Sequence, residues 1–484
     1  MSRRVMLAGV VIVAVTIALW SALNADDASR SLVFSTWGTP AEIGNFQRLI
    51  DRYNATRRPA HPVKLSHSEQ YQYTERLLVG AAARSFPDVL HLDRGNIPLF
   101  AAKGLIEDLT PVITRDTAFT TRGFLPSLLS SCRIGERTFA LPHNFSTLVL
   151  YYNKDHFDAE GIPYPDSSWT WDSLVVAARR LTRVDANGTI VRYGCHMQIV
   201  YSTLIEQNGG RILNENLDSC VIGSPEAAGA IQFAVDLSEK HHVTWNMLAQ
   251  NLLWDDMMAG GRLSMIANGR WAAPWYARSL PQGVLDVAPL PGGRMRKGAA
   301  TVHVMCIAAM SNRKKEAWDF LKYLVSEEGQ RMVNDGGVSI PVLGSVALSD
   351  EFLHHRTTPA MSNHVFIDEL PRSVAWPYEQ GPFLSAYTLQ SQLERAVVRV
   401  LLGRATVAQS LKIMEDEVNG VIREQRAVPR ARPFVGSVAF FLSGAILCVV
   451  PLAAVAYRRK QNRQAAARNF PGRYPELPGG GHTP

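Results

Sequence analysis

Apolar positions along this chain repeat with two spacings. Strict alternation of apolar and polar residues over a short run predicts a strand, whereas apolar residues three and four apart predict an amphipathic helix. The predicted strands cover residues 31–35, 63–66, 87–92, 147–152, 263–268 and 302–309. The predicted helices cover residues 42–54, 73–84, 97–103, 225–240, 316–334 and 406–425, and one more begins after Thr170. Strands that alternate with helices of this length indicate the α/β class and a parallel, helix-covered sheet.

Two longer apolar runs lie at the ends of the chain. Residues 5–23 and 434–457 contain no charged side chain, and each is long enough to cross a bilayer, which takes about 20 residues. Arg3 and Arg4 precede the first run and a basic tail, 458–484, follows the second, so the positive-inside rule places both ends in the cytoplasm. We therefore expect transmembrane helices at both ends of a body that lies outside the cytoplasm. For residues 1–25, an uncleaved signal anchor and a cleaved signal peptide both remain open.

The net charge of +7 is carried by these ends. The two N-terminal arginines and the basic tail, which we expect to be disordered, account for all of it, so the body between them is neutral. A neutral body has no electrostatic reason to bind nucleic acid. Its partner should be an uncharged solute, or one that local groups recognise.

The cysteines and short motifs exclude several kinds of site. None of the five cysteines has the spacing of a metal site, and no cofactor is predicted. Cys195 and Cys220 can form a disulfide in an oxidising space, or remain separate buried thiols. The chain contains no GxSxG, HExxH or P-loop motif, and its carboxylates form no recognisable glycosidase pair, so the sequence does not predict an enzyme.

A series of weak motifs occurs in a consistent order along the body. They are Pro87-Asp88-Val89, the segment 103–109 (KGLIEDL), 150–155 (LYYNKD), 169–172 (WTWD), 257–271 (MMAGGRLSMIANGRW), 316–324 (EAWDFLKYL) and 326–330 (SEEGQ). Together they resemble family 1 of the extracellular solute-binding proteins of ABC transporters, a group that includes maltose-binding and other sugar-binding proteins. The resemblance covers about residues 32–425.

This resemblance implies a type II periplasmic-binding-protein fold with two lobes and a ligand cleft between them. Lobe one would comprise residues 30–146 and 300–359, and lobe two residues 147–299 and 360–428. The chain would cross between lobes near residues 144–148, 300–304 and 345–365. The crossing segment 301–306 lacks the glycine pair often found there in the family.

Candidate ligand-binding residues follow from the fold, because ligands of such folds meet the loops after strands. Indole rings can cover the apolar faces of a sugar, and carboxylates, amides and arginines can bind its hydroxyls. The candidates are Trp37, Glu69, Tyr71, Asp93, Arg94, Asn144, Ser146, Trp254, Asp255, Trp271, Trp275, His303 and Tyr378. For some of them a purely structural role is the alternative. Asp93 and Arg94 can form a surface ion pair, Asp255 can belong to a helix start, and His303 can be a strand residue whose hydrogen bonds are made within the protein.

The resemblance implies the external substrate-binding subunit of an ABC importer. Such a subunit captures a sugar or related polyol by hinge closure and delivers it to permease subunits in the membrane. The alternative is a membrane-tethered sensor or scaffold that signals to a cytoplasmic partner. Both hypotheses place the binding body in the periplasm or extracellular space, at the cell membrane.

Overall fold

The computed structural model describes residues 31–197, 200–245, 253–375 and 381–427. Both predicted membrane spans, the basic tail and Tyr378 lie outside these residues, and so does the side chain of Tyr71. Within the described ranges, every helix is too short or too polar to span a bilayer.

Thirteen strands are present in the described part of the chain. In chain order they are β1 (Leu32–Trp37), β2 (Val63–Ser68), β3 (Val89–Asp93), β4 (Arg133–Ile134), β5 (Arg137–Thr138), β6 (Leu141–Asn153), β7 (Arg183–Val184), β8 (Ile190–Arg192), β9 (Met265–Asn268), β10 (Leu285–Ala288), β11 (Gly298–Ile307), β12 (Ile340–Pro341) and β13 (Ser373–Ala375).

The α-helices of the described residues are numbered in the same way. They are α1 (Pro40–Arg57), α2 (Gln70–Ala82), α3 (Ile97–Ala102), α4 (Thr110–Arg115), α5 (Pro126–Ser130), α6 (Lys154–Ala159), α7 (Trp171–Leu181), α8 (Tyr201–Gln207), α9 (Pro225–Glu239), α10 (Trp254–Ala259), α11 (Ala273–Ser279), α12 (Lys314–Leu324), α13 (Glu327–Asn334), α14 (Gly344–Ala347), α15 (Asp350–Leu353), α16 (Val365–Asp368), α17 (Ala386–Leu401) and α18 (Val407–Ala427). Short 3-10 turns follow β3 at Arg94–Asn96 and β9 at Arg270–Ala272.

Local sequence explains where several helices begin. The Thr39 side chain accepts a hydrogen bond from the Glu42 amide, and the Glu42 carboxylate accepts one from the Thr39 amide, so α1 starts with a capping box. Thr170 caps α7 in the predicted way, accepting from the Ser173 amide at 3.2 Å.

The segment predicted as one helix, 316–334, is two. Ser326 accepts a hydrogen bond from the Gly329 amide and caps a new helix, α13, whose first turn contains Glu327 and Glu328. The single-helix prediction was wrong because this N-cap interrupts an apolar periodicity that otherwise continues.

The main sheet has nine strands and mixes directions. Strand β1 pairs in parallel with β2 and β3, as predicted, and each of these connections passes through a helix. Strand β3 then pairs antiparallel with β11, and β11 antiparallel with β6. The prediction of a parallel sheet is therefore wrong beyond β3, because β11 runs antiparallel to both of its long neighbours, β3 and β6, and the short strands β9, β10 and β12 run antiparallel to β6.

Strand β6 is the element shared by the whole molecule. It extends over residues 141–153, well beyond the predicted 147–152, and every one of its residues is buried. Its first half pairs with β11 and β12, and its second half pairs with β9 and β10.

Two hydrophobic cores lie along this strand. The first gathers β1, β3, β11 and α12 and continues over Val149 and Tyr151. The second gathers α7, α9, α17 and α18 around Leu148, Leu150 and Tyr152. Because side chains alternate along a strand, β6 supplies one set of residues to each core.

The four described cysteines are free and buried, Cys195 and Cys220 among them. Burial raises the pKa of Cys195 to about 12 and that of Cys220 to about 11. Of the two sequence-based alternatives for this pair, the structure has the separate thiols.

Candidate functional site

Strands of the first core end at one edge of the sheet. Parallel strands β1 and β3 finish there with Trp37 and Asp93. Strand β11 places His303 opposite Asp93 on one side and opposite Asn144 of β6 on the other. The register of four neighbouring strands thus brings four predicted site residues together.

Strand β9 contributes another strand end to the same stretch of β6. Asn268, the last residue of β9, lies opposite Val149. The next turn is fixed by the Arg270 amide, which donates to the Ser146 Oγ atom at 2.7 Å. His303 of β11, the end of β9 and the turn after it therefore approach β6 within residues 144–149. A junction between two lobes is a usual place for a small-ligand site.

A recess opens beside the ends of β1 and β3, on the first-core side of this stretch. It is small, with a cavity volume of about 30 Å³. Its lining combines aromatic, amide and hydroxyl groups from the strand ends, α1 and the turn before β12: Trp37, Glu42, Asn45, Phe46, His91, Asn144, His303, Val333, Val338 and Ser339.

The Trp37 ring forms one wall and is held by its neighbours. It stacks on His91 with ring centroids 4.3 Å apart, contacts Tyr73 at 4.9 Å and meets the edge of His303 at 5.4 Å. The His303 Nε2 atom lies 3.3 Å from an Asp93 carboxylate oxygen. The indole is 5% exposed, so it offers an edge of the ring rather than a full face to the recess.

Two buried histidines form the floor behind Trp37. The His91 Nδ1 atom lies 2.8 Å from the Thr36 hydroxyl, and His143 stacks on Phe46. Burial, helped by the neighbouring histidines, holds the pKa of His91 well below its usual value, and burial together with His303 lowers the pKa of His143 to about 3. Both rings are therefore neutral at physiological pH.

The amide of Asn144 is the polar group best placed to receive a ligand. Its residue is 7% exposed and lines the recess. Within the described residues its side chain has no hydrogen-bond partner. Its amide oxygen and nitrogen are not among the fully buried polar atoms without a partner, so they reach the recess and can exchange solvent for a ligand hydroxyl.

A second cluster of polar side chains lies around Asp255 of α10, near the end of β9. Its carboxylate accepts hydrogen bonds from the Asn268 amide at 3.1 Å and from the Tyr276 hydroxyl. Burial raises the pKa of Asp255, although the hydrogen bonds that its carboxylate accepts from Tyr276 and Asn268 act in the opposite direction. The Asp255–Asp256 pair also lies in the first turn of α10, so the interpretation of Asp255 as a helix-start residue is confirmed as well.

The three tryptophans of this region differ in exposure. Trp271 is partly buried against both cores, and its indole lies over Gly269, where a β-carbon would come within 2.1 Å of the ring. Trp254 is 37% exposed and forms the outer ring of a stack with His196 and Trp245. Trp275 is 44% exposed on α11.

The remaining predicted residues are less informative. Glu69 is exposed at the start of α2 and forms no cap. Arg94 is partly buried in the 3-10 turn after β3. The Asp93 carboxylate lies within ion-pair distance of His303 across two strands. Tyr71 and Tyr378 stay predictions, since the described structure does not include their side chains.

Sequence reasoning missed several residues of this region. His91 and His143 alternate with apolar residues in their strands, which was a sign of buried imidazoles. Ser339 lies in a turn without a recognisable motif. Arg270, fully buried, stands between the glycine and the tryptophan of a motif that drew attention only to the indole.

Comparison with known proteins identifies this architecture. A family model described as bacterial extracellular solute-binding protein matches residues 38–331. A Brucella abortus protein known by the general name of binding protein is 22% identical over 274 residues, which cover 54% of this chain and 64% of that relative. The match thus covers less than two thirds of the relative's length. The sn-glycerol-3-phosphate-binding periplasmic protein UgpB of Rhizobium meliloti is 28% identical over 115 residues, covering 22% of this chain and 27% of its own.

Solved structures share the fold. An ABC substrate-binding protein from Listeria monocytogenes in complex with cycloalternan has a TM-score of 0.71 at 21% identity, covering 81% of this chain and 99% of its own. A Thermotoga lettingae solute-binding protein with bound α-D-tagatose has a TM-score of 0.68 at 23% identity, covering 81% and 100%. UgpB from Mycobacterium tuberculosis, in complex with glycerophosphocholine, has a TM-score of 0.68 at 18% identity, covering 82% and 99%. At these identities the likeness establishes the two-lobed α/β fold.

Proposed function

Because the chain belongs to the family of bacterial extracellular solute-binding proteins, we propose that it is the substrate-binding subunit of an ABC importer. It captures a sugar or related polyol between its lobes and delivers it to permease subunits in the membrane. The lobes are those expected from sequence, residues 30–146 with 300–359 and residues 147–299 with 360–428.

The observation that carries this proposal is the recess beside the ends of β1 and β3. Trp37 ends β1, and His303 of β11 lies between Asp93 of β3 and Asn144 of β6, whose side chain has no partner in the described residues. Every residue of the described lining belongs to the first proposed lobe, and closure of the second lobe over the recess would trap a small ligand.

The chemistry of the recess favours a neutral, hydroxyl-rich ligand. Its described lining contains no lysine or arginine, so it offers no cation to a phosphate group. It does contain an indole edge, an amide and the Ser339 hydroxyl, which suit the apolar faces and hydroxyl rim of a sugar. Other predicted contacts, Ser146, Trp254, Asp255, Trp271, Trp275 and Tyr378, would extend the site towards the second lobe.

The membrane attachment is also part of the proposal. Residues 5–23 and 434–457, which lie outside the described residues, would hold the binding body next to its permease and raise its effective concentration there. The chain should then remain with membranes that are washed at alkaline pH. Its quantitative release into the wash would contradict a spanning anchor.

A ligand panel tests the binding function. The full chain is heated with mono- and oligosaccharides, with polyols and with sn-glycerol 3-phosphate, and its unfolding is followed. A ligand at 100 times its Kd stabilises the folded state by about 2.7 kcal/mol, enough to raise the melting temperature measurably. We expect a neutral sugar or polyol to do so and to be recovered unchanged, because the site is assigned no chemical step. A panel without any stabilising neutral compound, or turnover of the bound sugar, would contradict the proposal.

A further inference from the structure

The guanidinium of Arg270 is buried where the two cores join. Arg270 is 0% exposed and is the largest fully buried side chain of the described residues. Its Nη1 atom donates to the Asn363 Oδ1 atom at 2.7 Å, and its Nη2 atom donates to the Thr358 hydroxyl at 2.9 Å. Its backbone amide donates to Ser146 of β6. One residue thus connects β6, the end of β9 and the loop 354–364 between α15 and α16.

This arginine is stabilised without a carboxylate. In the described ranges, no acidic oxygen lies within ion-pair distance of it. The rings of Phe352 and Phe366 lie 5.4 and 5.3 Å from its guanidinium carbon. Burial lowers the pKa of Arg270 to about 10, so the group remains charged at neutral pH. A buried charge is costly unless its surroundings stay closely arranged around it, and here those surroundings are the loop and the two rings.

The loop 354–364 is attached on both sides of the junction. The His355 Nε2 atom lies 3.1 Å from the Asn334 carbonyl oxygen, at the end of α13 beside β12. Ser362 donates to the Asp286 carboxylate of β10 from its amide at 2.8 Å and from its hydroxyl at 3.3 Å. Strand β12 pairs with the first half of β6 and β10 with the second half. The loop therefore bridges the two ends of β6, and Arg270 occupies its middle.

We propose that Arg270 is the positioning residue that couples the two lobes. Its guanidinium group holds the loop 354–364 against the end of β9. The angle between the lobes and the position of the adjacent Trp271 indole are therefore set together. The proposal rests on the proposed function only in treating Trp271 as part of the ligand cleft. The coupling itself belongs to the unliganded chain and can be measured without any ligand.

Hydrogen exchange of the unliganded full chain gives the first test. Thr358→Val removes one acceptor and keeps the side-chain shape, Arg270→Met removes the guanidinium group, and Arg278→Met, an exposed arginine on α11, is the control. Loss of a hydrogen bond to a charged group should accelerate amide exchange roughly ten- to hundred-fold. We expect this in residues 354–364 and 269–272, with β1 and β3 unchanged. Equal acceleration everywhere, or none in either test variant, would overturn the proposal. Thr358→Val decides the matter if Arg270→Met does not fold.

The second test measures the distance between lobes. Spin labels are attached through Val79→Cys on α2 and Val176→Cys on α7, two exposed positions on opposite cores, in a Cys448→Ser background that leaves only buried native thiols in the described body. We expect one narrow distance distribution in the parent and in Arg278→Met, and a broader or shifted one in Thr358→Val and Arg270→Met. Unchanged distributions in both test variants would refute the coupling. Since no ligand is present, this result is independent of whether a sugar binds.

Discussion

The His303 Nε2 atom lies 3.3 Å from an Asp93 carboxylate oxygen, although 210 positions separate the two residues in the chain. They face each other because β3 and β11 pair antiparallel, and the same register places Asn144 on the other side of His303. The polar wall of the recess is therefore a product of strand pairing and contains no contiguous motif.

Replacing Asn144 should affect ligand affinity far more than stability. The Asn144 amide has no partner within the described residues, so Asn144→Ala breaks no protein hydrogen bond. A lost hydrogen bond to ligand corresponds to about 1 kcal/mol, or a roughly five- to tenfold higher Kd for the sugar identified in the panel. Calorimetric titration measures this, with Asn187→Ala in an exposed turn as the control. An unchanged Kd would remove Asn144 from the site.

Because burial lowers the pKa values of His91 and His143, we expect the protein to lose stability in acid. The folded-state pKa of His143 is about 3, below the unfolded value of about 6.5, so the unfolded chain takes up this proton first and stability falls as the pH drops below about 6.5. His143→Phe should reduce the loss between pH 7 and pH 4.5 by about 2.5 kcal/mol. Denaturant unfolding at the two pH values measures it, with the exposed His67→Asn as the control. Parallel losses in His143→Phe and the parent would contradict a neutral buried imidazole.

Asp255 can be separated from its neighbour by a matched pair of variants. Asp255→Asn removes a partly buried charge while Asn268 and Tyr276 remain beside it, whereas Asp256→Asn changes an exposed carboxylate. Since burial raises the pKa of Asp255, its ionised form is a cost to the fold near neutral pH, and the substitution should cost less than about 1 kcal/mol of stability. If this carboxylate binds a ligand hydroxyl, Kd should rise about tenfold or more in Asp255→Asn only. Equal affinities in both variants would make Asp255 purely structural.

Gly269 tests whether the Trp271 indole is part of the site. A β-carbon at Gly269 would come within 2.1 Å of the Trp271 ring, so Gly269→Ala must displace the indole. We expect a changed tryptophan emission spectrum, weaker ligand binding and a loss of about 1–3 kcal/mol of stability. Gly292→Ala is the control, because its nearest neighbour would be 3.7 Å away. Unaltered binding by a Gly269→Ala variant whose emission has changed would exclude Trp271 as a ligand contact.

Local patterns predicted the elements better than the way in which they pair. The apolar face of α1 and the Thr170 cap of α7 each depend on residues that are close together in sequence, so both were predicted. The Thr39 capping box, which starts α1 two residues before the predicted position, was not predicted. The direction and length of β6 depend on partners such as β11 and β9, which are more than a hundred residues away. Trp37 and Asp93 were predicted to lie near each other because parallel strands end at one edge of a sheet.

Other site residues depend on packing that no local pattern records. His91 lines the recess with His143 packed behind it only because β3 and β6 enter the same sheet on either side of β11. The burial of Arg270 depends on Thr358 and Asn363, which follow it by about ninety residues. The location of the chain ends relative to a membrane stays a prediction from the charge-flanked apolar runs.

Hydrogen exchange with and without the sugar identified in the panel tests the central claim most directly. If the full chain captures its ligand where both cores meet β6, bound sugar should slow amide exchange in three segments that follow strand ends, residues 37–42, 93–97 and 268–273, and Asn144→Ala should weaken this protection at a fixed sugar concentration. Protection confined to a different surface, such as the groove between α9 and α17 lined by Ala234, Val397 and Leu401, would contradict the account.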